Sequence, residues 1–416
     1  MPDPLQPSPG RPRRFLAFLG AIFCEALTVG VVPPLLPVIQ GGLLLSTTQA
    51  GLIAGAFGFA RLCCDLPAGY LADRIGHRRA LLLGVVAILA GTLLSAVAQG
   101  LPSLLVARGL VGVGHAFVSI GSLSLLFQAA PAGARGRTTN WLEMTAIGGF
   151  TAGSLLGGLA GAALGWRGAF LAAAGPSLLG GILVVATLSP GDRDARPGGA
   201  VTRPEPSRSG PPPSLTRMLA LGFPPFLATF SLATGWAGTL STLFPLYGAR
   251  ALGLPADAIG QAVSLSLLAD ILCLIFTGWA ADRFGRRAVL LPALGCLAVG
   301  SVLLPQTRGQ LAYLLVGLLL GAPFAAWMMP PLLLGERLPG GLSGRRLGWY
   351  RFVVDAGFVA GPVGLTAIAD AAGFGAAGLA GALVAGASLL AAAAPRWGQG
   401  QRREALVREP TDPTGG

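Results

Sequence analysis

Nine ionisable side chains stand inside long apolar stretches of this chain, where a charge is unfavourable. They are Glu25, Arg61, Asp65, Arg108, His115, Glu143, Asp270, Arg351 and Asp355. A charged residue at the centre of a lipid bilayer costs about 2.5–3.5 kcal/mol on insertion scales, so such residues are rare there and usually pair or serve a function. Carboxylates in such places could exchange protons, and arginines could hold those carboxylates in position.

Two pairs among these residues share one spacing. Arg61 and Asp65 are four residues apart, and so are Arg351 and Asp355. In a helix this spacing places both side chains on one face. We hypothesise that the two pairs form one inter-bundle charge cluster if their helices meet. The alternative is a static network of satisfied ion pairs that only holds the helices together.

The elements that carry these residues are predicted to be membrane-spanning helices. Hydrophobic residues make up 53% of the 416 residues and charged residues only 11%, and the mean hydropathy is +0.69. A helix needs about 20 apolar residues to cross a bilayer. Abundant Gly and Ala favour close helix packing over a β-barrel. Twelve stretches are long enough, namely 15–38, 46–72, 80–98, 102–127, 141–164, 167–188, 217–247, 258–281, 288–305, 309–336, 347–370 and 373–394.

The positive charge is distributed unevenly along the chain. The formal net charge is +12, and every basic residue is Arg. Arg167, Arg250 and Arg308 lie between spans on one side, whereas the tails and the loops of the other side hold nearly all the rest. This asymmetry follows the positive-inside rule. We therefore predict a multi-pass protein of the bacterial inner membrane with both termini in the cytoplasm, a lipid bilayer around it and no nucleic-acid partner.

A short motif occurs twice in the chain, 209 residues apart, and each copy joins two apolar stretches. Other residues also repeat in order, such as Gly51 with Gly260 at an offset of 209 and Pro131 with Pro339 at an offset of 208. The matches indicate two homologous halves. The motif residues are Gly69, Asp73, Arg74, Gly76 and Arg78 in the first copy and Gly278, Asp282, Arg283, Gly285 and Arg287 in the second.

One hydrophilic stretch, 189–216, separates the halves and is rich in Pro, Gly, Arg and Ser. Such a composition cannot bury a core, so we predict a flexible cytoplasmic linker. On either side we expect an N-terminal six-helix bundle at 15–188 and a C-terminal six-helix bundle at 217–394. Residues 1–14 and 395–416 are then the cytoplasmic tails.

The sequence carries no recognisable enzyme motif. It has two histidines and no HExxH, P-loop or GxSxG pattern. The five cysteines all lie within spans, so no disulfide framework is implied. We expect no catalytic residue, no metal site, no cofactor and no enzyme activity.

The duplicated motif resembles the GxLaDRxGRR signature between the second and third helices of major facilitator superfamily transporters, with a weaker echo between the eighth and ninth. The resemblance extends over residues 15–394. It implies an all-α integral membrane protein with twelve transmembrane helices in two pseudo-symmetric six-helix bundles around a cavity that opens to each side in turn. It also implies that the second helix packs on the eleventh and the fifth on the eighth.

The same resemblance suggests a role for the acidic residues of the motif. Asp73 and Asp282 could lie at the positive N-terminal ends of helices that begin near Leu347 and Asn140. They would then form a cytoplasmic latch that closes in the outward-facing state, with Gly69 and Gly278 letting helices approach. The alternative is that the arginines of the motif only anchor the topology.

The expected helix pairing also places the charge cluster between the bundles. Arg61 would face Asp355, and Asp65 would face Arg351. Breaking and remaking these pairs could accompany the opening of one side. Neutralising Asp355 is then expected to impair transport, and neutralising Arg61 to restore part of it.

Arg108, Gly112 and Gly114 resemble the RxxxGxG motif of the family's fourth helix, which is tied to proton coupling. His115 lies seven residues after Arg108, on the same helix face. Glu25, an acid in the middle of the first helix, resembles the arrangement in some drug/proton antiporters. Burial would favour its neutral form, so we predict that Glu25 carries the proton. The alternatives are an arginine satisfied by backbone carbonyls and a structural hydrogen bond at Glu25.

The candidate cavity residues are Glu143, Trp236, Asp270 and Trp327, although packing in the core is the alternative for each tryptophan. An apolar wall with one or two carboxylates would suit lipophilic neutral or cationic solutes. Glycines in the fifth helix resemble the antiporter motif GxxxGPxxGG, with Ser154 in place of the proline. Small-residue helix packing is the alternative for these glycines.

We therefore expect a secondary active transporter, most like the 12-helix drug/proton antiporter group. Its function would be the proton-coupled export of small organic molecules by alternating access, carried out by a monomer. A proton-coupled importer of a small metabolite such as an organic acid is the alternative. A transport-inactive membrane sensor or scaffold is a third possibility from a different class.

Overall fold

The computed structural model describes residues 11–129, 135–187, 215–337 and 345–394. These residues are almost entirely helical, and they include no β-strand. Most of the predicted linker at 189–216 and most of both predicted tails lie outside the described residues, and the last two linker residues, 215 and 216, begin a helix.

The first half consists of six helices, the last of which is bent. Glycine at the bend, Gly165, has φ 67°, so the two arms of that helix are separate spans. The helices are α1 (Arg11–Gly30), α2 (Val32–Gly42), α3 (Thr47–Ile75), α4 (His77–Val97), α5 (Leu101–Ala129) and α6 (Arg135–Thr187).

The second half repeats this plan with more interruptions. Its last helix bends at Gly373, with φ 85°, which is the repeat position of Gly165. The helices are α7 (Leu215–Thr234), α8 (Phe244–Arg250), α9 (Ala256–Phe284), α10 (Arg286–Leu303), α11 (Gln310–Gly321), α12 (Met329–Arg337) and α13 (Arg345–Ala393), with a π-helical segment (Gly235–Leu243) and 3₁₀ turns at Leu304–Gln306 and Ala322–Ala326.

The helices have the dimensions that a membrane requires. Nine helical stretches among the described residues are long and apolar enough to cross a bilayer. Two of the nine, α6 and α13, contain two spans each because of their glycine bends. The continuous helical stretch 215–250 adds one more. The architecture is therefore consistent with twelve membrane-spanning helices in two repeated sets.

The first predicted span, 15–38, lies within one membrane-length helical stretch, Phe15–Gly42, that has a local interruption at Val31. Regular helix stops at Gly30 and resumes at Val32. The carbonyl of Gly30 would normally accept the N–H of residue 34, but Pro34 has none. The hydroxyl of Ser154 in α6 donates a 3.0 Å hydrogen bond to that carbonyl instead. Ser154, which replaces the proline of the antiporter motif, thus donates to the Gly30 carbonyl, which lacks its helical partner because residue 34 is a proline.

The two bundles meet along two seams. In the first seam α3 packs on α13, and in the second seam α6 packs on α9, as the resemblance implied. Glycines bring the backbones close: a Cβ on Gly51 would lie 2.5 Å from the carbonyl oxygen of Pro362. A Cβ on Gly158 would lie 2.8 Å from the Cα of Gly260. Contact this close is the usual reason for glycine at helix interfaces in lipid.

The two ends of the molecule differ. Loops at 43–46, 98–100 and 251–255 share one end, which the predicted topology places outside the cell and which we call the outer end. The hairpins at Gly76 and Gly285 lie at the other, or inner, end. Both of these glycines have positive φ, 93° and 88°, a conformation that glycine adopts at little cost.

Candidate functional site

The first seam brings the four predicted cluster residues together. Arg61 forms an ion pair with Asp355, with 3.1 Å between Nη2 and Oδ1. Arg351 pairs with Asp65 at 3.6 Å. The side chain of Asp355 is only 1% exposed and that of Arg61 9%. Each pair joins one bundle to the other, so the seam cannot open at this level without separating opposite charges in a buried place.

Aromatic rings surround the Arg61 end of this cluster. The Arg61 guanidinium carbon lies 5.2 Å from the ring centre of Phe358 and 5.8 Å from that of Phe57. Arg108 lies 5.5 Å from the Phe57 ring centre, and the His115 ring packs on Phe57 edge-on at 5.3 Å. The two predicted proton-coupling residues of α5, Arg108 and His115, therefore contact the Phe57 ring, which also contacts Arg61 of the charge cluster.

The glycines of the α5 motif serve packing. A Cβ on Gly112 would lie 2.4 Å from the carbonyl oxygen of Phe57, and one on Gly114 would lie 2.6 Å from that of Gly84. The Arg108 side chain is buried, and its Nε has no hydrogen-bond partner among the described residues. Carbonyl groups therefore do not satisfy that nitrogen in this conformation.

Glu25 occupies a different place from Arg108 and His115. Its side chain is 3% exposed and faces the second arm of α6, where the Ser177 hydroxyl donates to Oε2 at 3.5 Å. Its Oε1 has no hydrogen-bond partner in the described part of the chain. No hydrogen bond or ion pair there joins Glu25 to Arg108 or His115. The structure therefore does not bring the three predicted proton-coupling residues together.

Glu143 and Asp270 lie at the second seam, one from each bundle. Asp270 is 3% exposed, and its Oδ1 has no hydrogen-bond partner among the described residues. Glu143 is exposed. The two carboxylates lie within electrostatic range of each other, and Arg351 lies within range of Glu143.

The two predicted cavity tryptophans belong to one aromatic group that spans both bundles. The ring centre of Trp236 lies 5.0 Å from that of Phe150 in the first bundle and 5.3 Å from that of Phe358 in the second. Trp327 packs edge-on against Phe358 at 6.2 Å. Both tryptophans are partly buried.

The predicted cytoplasmic latch is not engaged in this conformation. Asp73 and Asp282 are exposed, and no hydrogen bond or ion pair is formed by either within the described residues. The side chain of Asn140, a predicted neighbour, lies outside those described. Contrary to expectation, Gly278 has open space beside it, and the nearest atom to a Cβ on Gly69 would be 4.0 Å away. These glycines therefore bring no helix into close contact here.

The arginines of the duplicated motif have local partners that the sequence analysis missed. Arg74 stacks on Tyr70 of its own helix, with 4.4 Å from the guanidinium carbon to the ring centre. Arg283 lies over Trp279 in the same way at 5.9 Å. An aromatic residue four positions before the arginine in both copies was the available signal. Arg287 instead donates to the carbonyl of Ala393 at the end of α13.

A lock at the outer end was also missed. Asp370, near the end of the first arm of α13, accepts hydrogen bonds from the backbone N–H groups of Thr47 (3.0 Å) and Thr48 (2.6 Å), which begin α3. The Thr48 hydroxyl donates to the same carboxylate at 2.7 Å. Arg250 of α8 donates to the Thr47 hydroxyl. A carboxylate at a helix N-terminus is stabilised by the free N–H groups and the helix dipole.

The glycines that resemble the antiporter motif line two contacts. Cβ atoms on Gly149, Gly153 and Gly157 would lie 2.4, 2.2 and 2.7 Å from backbone carbonyl oxygens of Phe23, Leu27 and Val31. Gly158, the next residue, faces the second seam. Small-residue packing, the alternative reading, therefore describes the contacts of these glycines.

Comparison with known proteins places this arrangement in a family. The sequence model of the Major Facilitator Superfamily matches residues 18–255 and 225–412. The chain belongs to the Major Facilitator Superfamily. Membership, together with the two helical bundles, makes it a membrane transporter of the superfamily type rather than an enzyme.

Among curated superfamily relatives, the class C tetracycline resistance protein of Escherichia coli is 26% identical over 367 residues, which cover 85% of this chain and 89% of that protein. The multidrug resistance protein Stp of Mycobacterium tuberculosis is 34% identical over 36% of this chain. The drug efflux pump JefA of the same organism is 33% identical over 38%. This chain spans only 27% and 32% of those two relatives' lengths.

Solved superfamily structures share the fold. The peptide transporter POT in complex with sulfate matches with a TM-score of 0.73 at 20% identity, over 95% of this chain and 97% of that one. A POT family transporter in complex with 5-aminolevulinic acid matches with a TM-score of 0.72 at 14% identity, over 91% of this chain and 95% of that one. At such identities the likeness shows the architecture alone.

Proposed function

We propose that this chain is a proton-coupled exporter of small organic molecules that works by alternating access. The observation that carries the proposal is the two ion pairs between the bundles, Arg61 with Asp355, which is buried, and Asp65 with Arg351. Charges that bridge two mobile bundles supply discrete contacts whose rupture and recovery can accompany the movement. The curated drug-efflux relatives support export as the direction.

Glu25 is the proton carrier in this proposal. An ionised carboxylate at its position would be buried beside a serine hydroxyl with no cation in contact, an arrangement that strongly disfavours the charge. A proton on Glu25 removes that penalty. Loss and gain of this proton, as one bundle tilts against the other, would couple the proton gradient to transport. Arg108 and His115 would respond through Phe57 and the charge cluster.

Proteoliposomes test the coupling directly. Wild-type protein should drive a solute across the membrane when a pH gradient is imposed, and Glu25→Gln should abolish gradient-driven flux while leaving exchange at equal pH. Ser177→Ala, which removes only the neighbouring hydroxyl, should keep coupled flux. Unchanged coupled flux in Glu25→Gln would exclude Glu25 as carrier.

Everted vesicles decide the direction. If the chain exports, acidification of the vesicle interior should make the vesicles accumulate solute. Exclusion of the solute under the same gradient would favour the importer of a small metabolite, and no gradient-dependent flux with any solute would favour the sensor or scaffold.

We also propose that the protein works as a monomer in the bacterial inner membrane with both tails in the cytoplasm. Support comes from the arginine distribution. Reporter fusions to each terminus that are active only in the cytoplasm should both be active, and one silent terminus would overturn the proposed topology.

A further inference from the structure

The two seams are related by the internal repeat, and at equivalent positions their charges are opposite. The α3-to-α9 offset of 209 pairs Arg61 with Asp270, and the α6-to-α13 offset of 208 pairs Glu143 with Arg351. Both arginines of the first seam thus correspond to acids in the second. Because the two halves are repeats, these residues occupy equivalent positions in the two seams.

The first seam balances its charge and the second does not. The acids that neutralise the arginines, Asp65 and Asp355, correspond to Leu274 and Ile147 in the second seam. No cation therefore stands at the repeat position that would neutralise Glu143 or Asp270. Arg351, the nearest cation of the neighbouring helix, is paired with Asp65 in the first seam at 3.6 Å.

The register of the second seam brings its two acids to one level. The backbones of α6 and α9 touch at Gly158 and Gly260, and the Ser264 hydroxyl donates to the Thr151 carbonyl at 2.9 Å. The helices run antiparallel. The numbers of two residues that face each other therefore add up to a nearly constant value along the seam. Continued toward the inner end, this register places Glu143 and Asp270 within about one helical turn of each other.

Asp270 is a buried acid with an unpartnered oxygen. Its carboxylate is almost fully buried, yet Oδ1 has no hydrogen-bond partner among the described residues. Buried polar atoms normally have a partner, so an exception needs an explanation, and binding of a cation is one that fits a carboxylate. Glu143, in contrast, is exposed, so a solute could reach the pair from Glu143's side.

Aromatic rings lie farther along the helix face that carries Glu143. Phe150 follows Glu143 by seven residues, two turns along the same helix face. Trp236 packs edge-on against Phe150 with 5.0 Å between ring centres. Carboxylates combined with aromatic faces are the groups that bind an organic cation, through charge and through cation–π attraction.

We propose that Glu143 and Asp270 form one binding site for a lipophilic organic monocation, with the rings of Phe150 and Trp236 against its apolar part. The proposal rests on the exporter function above and names its substrate class. Protons compete for the same carboxylates, so acid displaces the cation. The other titratable or charged groups within electrostatic range of the pair, among described side chains, are Arg351 and Tyr350 of α13 and Cys273 of α9.

Equilibrium binding to the purified full-length protein tests this site without transport. Radiolabelled tetraphenylphosphonium and fluorescent ethidium are the probes, each at alkaline and at mildly acidic pH. Asp270→Asn should weaken binding about tenfold or more at alkaline pH, because truncating one partner of a buried charge contact typically has at least this effect. Glu143→Gln should also weaken binding, although by less, because Glu143 is exposed. Binding by wild type should weaken on acidification, and that pH dependence should shrink in both variants.

Three controls make the test decisive. Asp257→Asn removes a charge from the first turn of the same helix, α9, and should bind as wild type does. Asp270→Glu restores the charge and should recover part of the affinity lost in Asp270→Asn. Glu143 is exposed, so Glu143→Gln should fold even where Asp270→Asn does not, which thermal unfolding checks.

The possible outcomes separate this proposal from the proposed function. Wild-type affinity for both probes in Glu143→Gln overturns the site, and so does the failure of wild type to bind either probe. Glu25→Gln should retain cation binding and lose only coupled flux. If it keeps coupled flux while the second-seam variants lose binding, the proton carrier is wrong and the cation site stands.

Discussion

The carboxylate of Asp370 in the second bundle accepts a 2.6 Å hydrogen bond from the backbone N–H of Thr48 in the first. This contact closes the outer end of the molecule. The predicted latch at Asp73 and Asp282 lies at the opposite, inner end. One carboxylate at a helix N-terminus is engaged in this conformation, and the two at the inner end are not. The predicted latch would place the same chemical device at the inner end.

Asp370→Asn should loosen the outer end. The change removes the negative charge that two N–H groups and a hydroxyl share, and charge-assisted hydrogen bonds contribute about 1.5–3 kcal/mol each. Because the Asp370 side chain is 28% exposed, we expect an effect near the lower limit, equivalent to about a tenfold shift toward an open outer end. A cysteine introduced at Gln40 in a cysteine-free background should be alkylated correspondingly faster by a membrane-impermeant reagent. Asp257→Asn is the control, and equal rates in both variants would contradict the lock.

Neutralising one residue of the Arg61–Asp355 pair should lower stability and transport more than neutralising both residues. Asp355→Asn leaves Arg61 buried without its partner, and breaking a buried pair from one side costs about 3–5 kcal/mol. The double variant with Arg61→Gln removes both charges and should unfold at a higher temperature than either single variant. Transport should follow the same order. Additive effects of the two substitutions would show that the pair has no coupling energy.

Asp73→Asn and Asp282→Asn should leave stability unchanged and lower the transport rate. Both side chains are exposed and unbonded within the described residues, so the unfolding temperature should stay close to wild type, as for most surface substitutions. If these residues latch the inner end in the other conformation, the transport rate should nevertheless fall severalfold. A normal rate in the double variant would leave the motif with a topological role only.

Ser154→Ala should destabilise the first bundle by about 1–3 kcal/mol, because it leaves the buried Gly30 carbonyl without a donor. The control is Ser95→Ala. The Ser95 hydroxyl donates to the Gly91 carbonyl one turn earlier in its own helix, a carbonyl that already has a backbone partner. Thermal unfolding of the two variants in detergent should therefore show a clear loss for the first and a small one for the second. A reversed order would refute the capping role.

Much of the architecture could be predicted because its signals are local and repeated. Apolar stretches of membrane length, arginine-rich loops and a constant offset defined the bundles. The facing of Arg61 and Asp355 followed from a four-residue spacing on two helices expected to touch. Charges on a lipid-embedded helix have few acceptable positions, so spacing alone indicated which face would be buried.

The orientation of Glu25 could not be predicted in this way. The first helix is apolar on all sides, so its sequence gives no preferred face, and the acid turned toward Ser177 rather than toward Arg108. The outer lock was missed for another reason. Thr47 and Thr48 contribute backbone N–H groups, which every residue except proline has, and sequence alone does not show which carboxylate comes near them. The state of the latch depends on the conformation adopted, which no residue pattern specifies.

The π-helical segment Gly235–Leu243 has a counterpart at the equivalent place of the first bundle, where prolines break the helix between α1 and α2. The second bundle departs from the regular helix by a widened, π-helical turn, and the first bundle by a one-residue interruption between α1 and α2. Both departures lie at the same height in the membrane. Each bundle thus has a flexure point of its own in its leading helix. The outer parts of these two helices can therefore change tilt independently of the inner parts, and closure at the two faces need not be simultaneous.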